Sequence, residues 1–210
     1  MLDTISQVLD WFGICVFALS GALVASRKQM DIAGFSLLGC VAGIGGGTLR
    51  DVLLGSLPVF WVQKPAYLVT CIVVSCAAFF VAHLAHSRLR FLLWCDAVGL
   101  ALFSVTGTQI ALASGASNTI AIAMGVMTAT FGGVIRDILG GEIPIILRHE
   151  IYVTAALFGA SIFVFVQYLG IANNMALVAG FLAALALRSA AIVYDLSLPV
   201  FTRSAGNDGN

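Results

Sequence analysis

The sequence predicts an all-α membrane protein with seven transmembrane helices, arranged as two inverted three-helix repeats plus a seventh helix. Three observations carry this. The 210 residues are 60% hydrophobic and 10% charged, with a mean hydropathy of +1.06, against roughly 25% charged residues in a soluble domain. Seven apolar stretches approach the ~20 residues needed to cross ~30 Å of hydrocarbon. Finally, the chain repeats itself at an offset of 86 residues, matching Asp10 with Asp96, Gly13 with Gly99, Phe17 with Phe103, Gly46 with Gly132 and Arg50-Asp51 with Arg136-Asp137. Each copy holds three spans. Two odd-numbered copies in series enter the bilayer in opposite directions, and inverted repeats are an architecture of membrane passage.

The spans fall at about 5–25, 34–57, 66–82, 91–113, 119–139, 151–169 and 175–194. A backbone in lipid must satisfy its own hydrogen bonds, so each is a helix. The first is no signal peptide: Asp3 precedes it without Lys or Arg, and it has a partner in the second copy. Repeat one runs from about 9 to 85 and repeat two from about 95 to 171, within a single transmembrane domain. The seventh helix, 175–194, has no counterpart and suits a spacer or an oligomer-forming element. The tail 196–210 is expected to be too short and polar for a domain.

Net charge is zero, so no global basic field argues for nucleic acid. Arg27, Lys28, Arg88, Arg90, Arg148 and Arg203 fall on one side of a seven-span chain and Lys64 on the other. The positive-inside rule then places the N-terminus outside and the C-terminus in the cytoplasm of a prokaryotic inner membrane. Cys15, Cys40, Cys71, Cys76 and Cys95 show no metal-ligand or disulfide spacing and read as small packing residues. His83, His86 and His149 read as interfacial. No metal or cofactor is expected. Trp61, Tyr67, Trp94 and Tyr194 suit interface anchors, and Arg188 is placed to snorkel to the cytoplasmic face.

The second helix of each copy holds the distinctive chemistry. Gly39, Gly43 and Gly47 recur every four residues, as do Gly125, Ala129 and Gly133, making a stripe that admits a neighbouring helix closely. Gly45, Gly46 and Gly47, and Gly132 with Gly133, also cluster within a span. Each glycine costs a helix about 1 kcal/mol relative to alanine, so a kink or break is expected there. It would expose carbonyl groups near mid-membrane, at matching points of the two copies; the alternative is a kink that serves packing alone. Beyond each cluster stands Arg-Asp. Charges within a span seek partners, and neighbours on a helix point about 100° apart. Crossed pairing is therefore expected, Arg50 with Asp137 and Arg136 with Asp51, acting as a gate or as a structural clamp.

Asp10, Ser20, Asp96, Ser104, Thr106, Thr108 and Gln109 complete the possible pore-lining polar set. Asp10 better suits a helix N-terminus, Asp96 suits N-terminal stabilisation and the pathway equally, and the threonines equally suit back-bonding within their helix.

The doubled motif Gly45-Gly46-Gly47-Thr48-Leu49-Arg50-Asp51 and Phe131-Gly132-Gly133-Val134-Ile135-Arg136-Asp137 resembles the prokaryotic branch of the TRIC family of trimeric intracellular cation channels, which overlaps a bacterial domain family described as glycine transporters. The ending Leu187-Arg188, Tyr194 and Leu198-Pro199 resembles it too. The resemblance implies a homotrimer in the lipid bilayer. Each subunit would have its own pore for potassium and sodium, lined by kinked second and fifth helices. Phe131 stands where the first copy has Gly45, which implies a milder break in the second half.

Two functions stay open on sequence. A monovalent cation channel is favoured by the resemblance and by the lack of a dense acidic ring. A secondary transporter for glycine or another small neutral amino acid uses the same inverted repeats. An enzyme is not expected, because no nucleophile–base pair, metal spacing or nucleotide loop is present. No soluble partner is implied.

Overall fold

A computed structural model describes residues 4–81, 88–147 and 151–197. Expectations resting on His83, His86, Arg148, His149, Arg203 and the chain after 197 lie outside the described residues, as does the side chain of Arg88.

The described residues form helices α1 (Thr4–Arg27), α2 (Ile32–Leu53), a one-turn α3 (Phe60–Gln63), α4 (Ala66–Val81), α5 (Arg88–Ala113), α6 (Asn118–Leu139), α7 (Val153–Tyr168) and α8 (Asn173–Tyr194). A 3₁₀ turn, Ile145–Leu147, precedes α7. Five helices, α1, α2, α5, α6 and α8, are long and apolar enough to cross a bilayer. With 16 residues, α7 rises about 24 Å, less than a full hydrocarbon thickness; the described part of α4 is equally long. Short hydrophobic elements are accommodated by local thinning or by packing against neighbours. The molecule is a multi-pass integral membrane protein.

The two copies meet through α1 against α5 and α2 against α6. Phe17 and Phe103 stack with ring centroids 5.1 Å apart. Each ring fills the space its partner copy's glycine leaves open: a Cβ on Gly13 would lie 2.6 Å from the Phe103 ring, and one on Gly99 would lie 2.7 Å from Phe17. Nearby, α2 and α6 cross backbone to backbone. A Cβ on Gly46 would overlap the Thr128 carbonyl oxygen, and one on Gly132 would overlap that of Ala42. These contacts are related by the same 86-residue offset. The unpaired helix α8 packs on α7 and α5, with Gly159 and Gly180 facing each other.

Two expectations about α2 and α6 are corrected. Both helices run unbroken through Gly45–Gly47 and Gly132–Gly133, so the glycine clusters do not break the chain. The close α2–α6 crossing needs hydrogen at Gly46 and Gly132, and the packing it permits offsets the helix propensity lost there. The second span also ends earlier than the predicted 57. Gly55 (φ +68°) and Gly141 (φ +63°) terminate α2 and α6 in the left-handed region. The Ser56 and Glu142 amides then bond back to the Asp51 and Asp137 carbonyls at 2.8 Å each, a Schellman closure.

Candidate functional site

The Arg-Asp motifs sit in the last turn and a half of α2 and α6. In the first copy, Asp51 Oδ1 accepts from Arg50 Nε (2.9 Å) and Nη2 (2.7 Å). Its Oδ2 accepts the Phe60 amide at 2.8 Å, capping α3. In the second copy, Asp137 Oδ1 accepts from Arg136 Nε at 2.8 Å, and Oδ2 accepts the Ile145 amide at 3.1 Å. Each aspartate thus binds its own neighbour with one oxygen and holds the returning chain with the other.

The crossed pairing expected from sequence does not form. Adjacent Cα–Cβ bonds diverge, but the arginine side chain is long enough to fold over the aspartate beside it. The tight turns after Gly55 and Gly141 bring the amides that occupy the second carboxylate oxygens. Each charge is therefore neutralised within its own copy, as burial requires.

The two copies differ in what else they recruit. Arg136 is fully buried and its Nη1 donates to both Ser20 Oγ and Asp96 Oδ1 at 2.8 Å. Tyr152 lies beside Asp96 and is itself covered by Arg188, whose guanidinium carbon is 5.1 Å from the ring centroid. Arg188 is wholly buried and donates to the Ile151 carbonyl at 3.2 Å, so it does not snorkel to a surface. The tyrosine face and a backbone carbonyl hold it inside the bundle.

Around Arg50 the equivalent groups are Asp10, for Asp96, and Thr106 of the second copy, for Ser20. Neither bonds Arg50. Asp10 lines a cavity of about 230 Å³ together with Arg50, Asp51, Lys64 and Tyr67. Thr106 is buried with its hydroxyl unpartnered among the described residues. Arg50 instead lies 5.8 Å from the Phe60 ring centroid. One Arg-Asp site is therefore sealed by a four-residue network, and the other opens into a polar cavity.

The remaining predicted positions divide. Ser20 and Asp96 join the sealed network. Ser104 and Thr108 are buried and bond back to Ala101 and Ser104 carbonyls at 2.9 and 2.6 Å. Thr108 also packs against Gly125, and Gln109 Oε1 is buried without a partner among the described residues. Gly47 faces the Phe60 ring and Gly133 the Tyr152 hydroxyl, whereas Gly45 faces Gly132 and Ile135 at ordinary contact distance. Tyr67 is no interface anchor. It is 6% exposed, stacks on Trp11 at 4.1 Å and lies beside Asp10.

Sequence reasoning missed Tyr152 and Glu142 and gave Tyr67 a different role. The signal for the tyrosines was a slip in the repeat. Past Pro58 and Pro144 the offset becomes 85, which pairs Phe60 with Ile145 and Tyr67 with Tyr152. Glu142 bonds Arg27 at 3.2 Å and lies 4.0 Å from Lys28, joining the end of α1 to the turn after α6. Among the described residues no three His, Cys, Asp or Glu side chains converge as metal ligands.

The chain matches the domain model described as "Glycine transporter" twice, over residues 7–83 and 93–168. It is 43% identical to a UPF0126 membrane protein of Vibrio cholerae, over 95% of this chain and 84% of that protein. It is 41% identical to the UPF0126 inner membrane protein YadS of Escherichia coli K12, over 92% and 94%. Among solved structures it resembles the TRIC trimeric intracellular cation channel orthologue of Rhodobacter sphaeroides, with 60% identity, a TM-score of 0.91 and coverage of 92% of this chain and 100% of that one. A second TRIC cation channel structure matches with 34% identity, a TM-score of 0.84 and coverage of 95% and 98%. The doubled domain match and the agreement of sequence and fold along the chain show that it belongs to the prokaryotic TRIC family.

Proposed function

We propose that this chain is a channel for monovalent cations, potassium and sodium, with one pore in each subunit of a homotrimer. The observation that carries the reading is the α2–α6 crossing flanked by a buried Arg-Asp site on each helix, on a fold like that of solved TRIC cation channels. The pathway follows the α2–α6 seam. It enters at the cavity beside Asp10, Arg50 and Lys64, narrows where Gly45 and Gly46 meet Gly132, and is sealed at Arg136 by Asp96, Asp137 and Ser20. Arginines near a cation pathway oppose conduction when unpaired; here each is bonded to a carboxylate, which removes that objection. The lack of a dense acidic ring favours monovalent over divalent ions.

The same reading counts α4 and α7 as spans, giving seven helices in two inverted three-helix repeats plus α8. It places the N-terminus outside and the C-terminus in the cytoplasm, in the inner membrane named for the Escherichia coli relative. No cofactor is needed beyond the permeant ions.

The test is reconstitution of the purified chain in planar bilayers under a potassium gradient. Unitary currents whose reversal potential follows that gradient are expected. Saturable glycine uptake by proteoliposomes without unitary currents would overturn the proposal in favour of a transporter.

A further inference from the structure

A groove of about 620 Å³ runs between the start of α5 and the end of α8, lined by Leu89, Arg90, Leu93, Trp94, Val193 and Asp195 among others. It lies apart from the α2–α6 seam. Arg90 lies near the first described residues of α5. Asp195 caps the C-terminus of α8 in the left-handed region (φ +48°), where the terminal carbonyls carry negative charge. Both side chains are exposed, and they form no ion pair with each other or with any described residue. Apolar side chains fill the floor between them, with Leu89 and Val193 44% and 60% exposed. Trp94, at 37% exposure, is a residue type that settles at headgroup depth.

We propose that this groove binds one ethanolamine phospholipid per chain. The phosphate monoanion would sit at Arg90, and the primary ammonium at Asp195 and the carbonyl end of α8. An acyl chain would lie along Leu89, Leu93 and Trp94. The headgroup is a net-neutral dipole, and the groove presents a matching dipole in the opposite sense: the Arg90 guanidinium against the Asp195 carboxylate at the carbonyl end of α8. A phosphatidylglycerol headgroup has no cation for Asp195. A choline headgroup has a cation without N–H donors, so it forgoes the charge-assisted hydrogen bond to the carboxylate.

Native mass spectrometry of the full chain released from detergent tests this. Phosphatidylethanolamine, phosphatidylcholine and phosphatidylglycerol with identical acyl chains are offered at equal concentration. Wild type should retain the ethanolamine lipid about two- to fivefold over either competitor, the range of exposed charge pairs. Asp195→Asn should erase that preference, while Arg90→Gln should lower retention of all three lipids. Both side chains are exposed, so unchanged size-exclusion elution verifies the fold. Equal retention of the three lipids by wild type would overturn the proposal, as would a preference that survives both substitutions. A photocrosslinker at Leu93 that captures a second copy of the chain instead of lipid would also overturn it, assigning the groove to a subunit interface.

Discussion

Replacing Gly46 with alanine isolates the α2–α6 crossing from helix propensity, because Gly45 provides a control one residue away. A Cβ on Gly46 would lie 3.0 Å from the Thr128 carbonyl carbon and inside the van der Waals radius of its oxygen. The obstacle is backbone, so no rotamer change relieves it and α6 must retreat. Overpacking of this kind costs about 1–3 kcal/mol, and a rigid backbone obstacle puts the cost near the top of that range. The substitution also regains about 1 kcal/mol of helix propensity. The net loss is therefore about 2 kcal/mol, a fall of roughly 4–8 °C in melting temperature for a chain of this length. Gly45→Ala gains the same propensity, but its Cβ meets Ile135 at 3.5 Å and Gly132 at 3.7 Å, ordinary contacts. Its melting temperature should equal or exceed that of wild type. Thermal melts followed by fluorescence-detected size exclusion in one detergent compare the two. Equal melting temperatures for Gly45→Ala and Gly46→Ala would refute the argument that backbone approach at Gly46 holds α2 against α6.

Three further outcomes follow from the charge arrangement. Arg136→Gln leaves the Asp96 and Asp137 carboxylates buried without their cation, a loss of about 3–5 kcal/mol. In double-mutant cycles read by the same melts, Arg136 should couple to Asp96 by about 0.5–3 kcal/mol, and Arg50 to Asp137 by no more than additivity error, about 0.3–0.5 kcal/mol. Glu142→Gln removes the acceptor of Arg27 and Lys28, whose side chains are 29% and 36% exposed. The cost should be only about 0.2–1 kcal/mol. Melts in low and in 1 M KCl should show that difference shrink as salt screens the bridge.

The helices were legible in the chain, with boundaries mostly within a few residues. Span length and apolarity are local properties, and lipid leaves a spanning backbone no alternative to the helix. The repeat was legible as well, and it locates both Arg-Asp sites. The partners of the charges were not. Whether Arg50 reaches Asp51 or Asp137 depends on side-chain length and on which amides the turns after Gly55 and Gly141 bring back. A pattern of spacings does not encode those distances. The fate of the glycines was likewise ambiguous, because a cluster in a helix predicts weakness equally well whether the helix yields or a neighbour presses against it.

Sequence alone thus determined that the protein crosses membranes, that it is built from two related halves, and where each half concentrates its charge. Those features follow from transfer free energy and repetition, which are properties of the chain. Tertiary structure decided that the halves are unequal. Arg136 lies under Ser20, Asp96 and the Tyr152–Arg188 stack, whereas Arg50 faces an open cavity, with Asp10 and Thr106 unbonded to it. The mismatch of Gly45 with Phe131 pointed to asymmetry at the glycines. The larger asymmetry arises at the arginines, because α8 has no counterpart in the repeat and supplies the Arg188 that covers only one of the two sites.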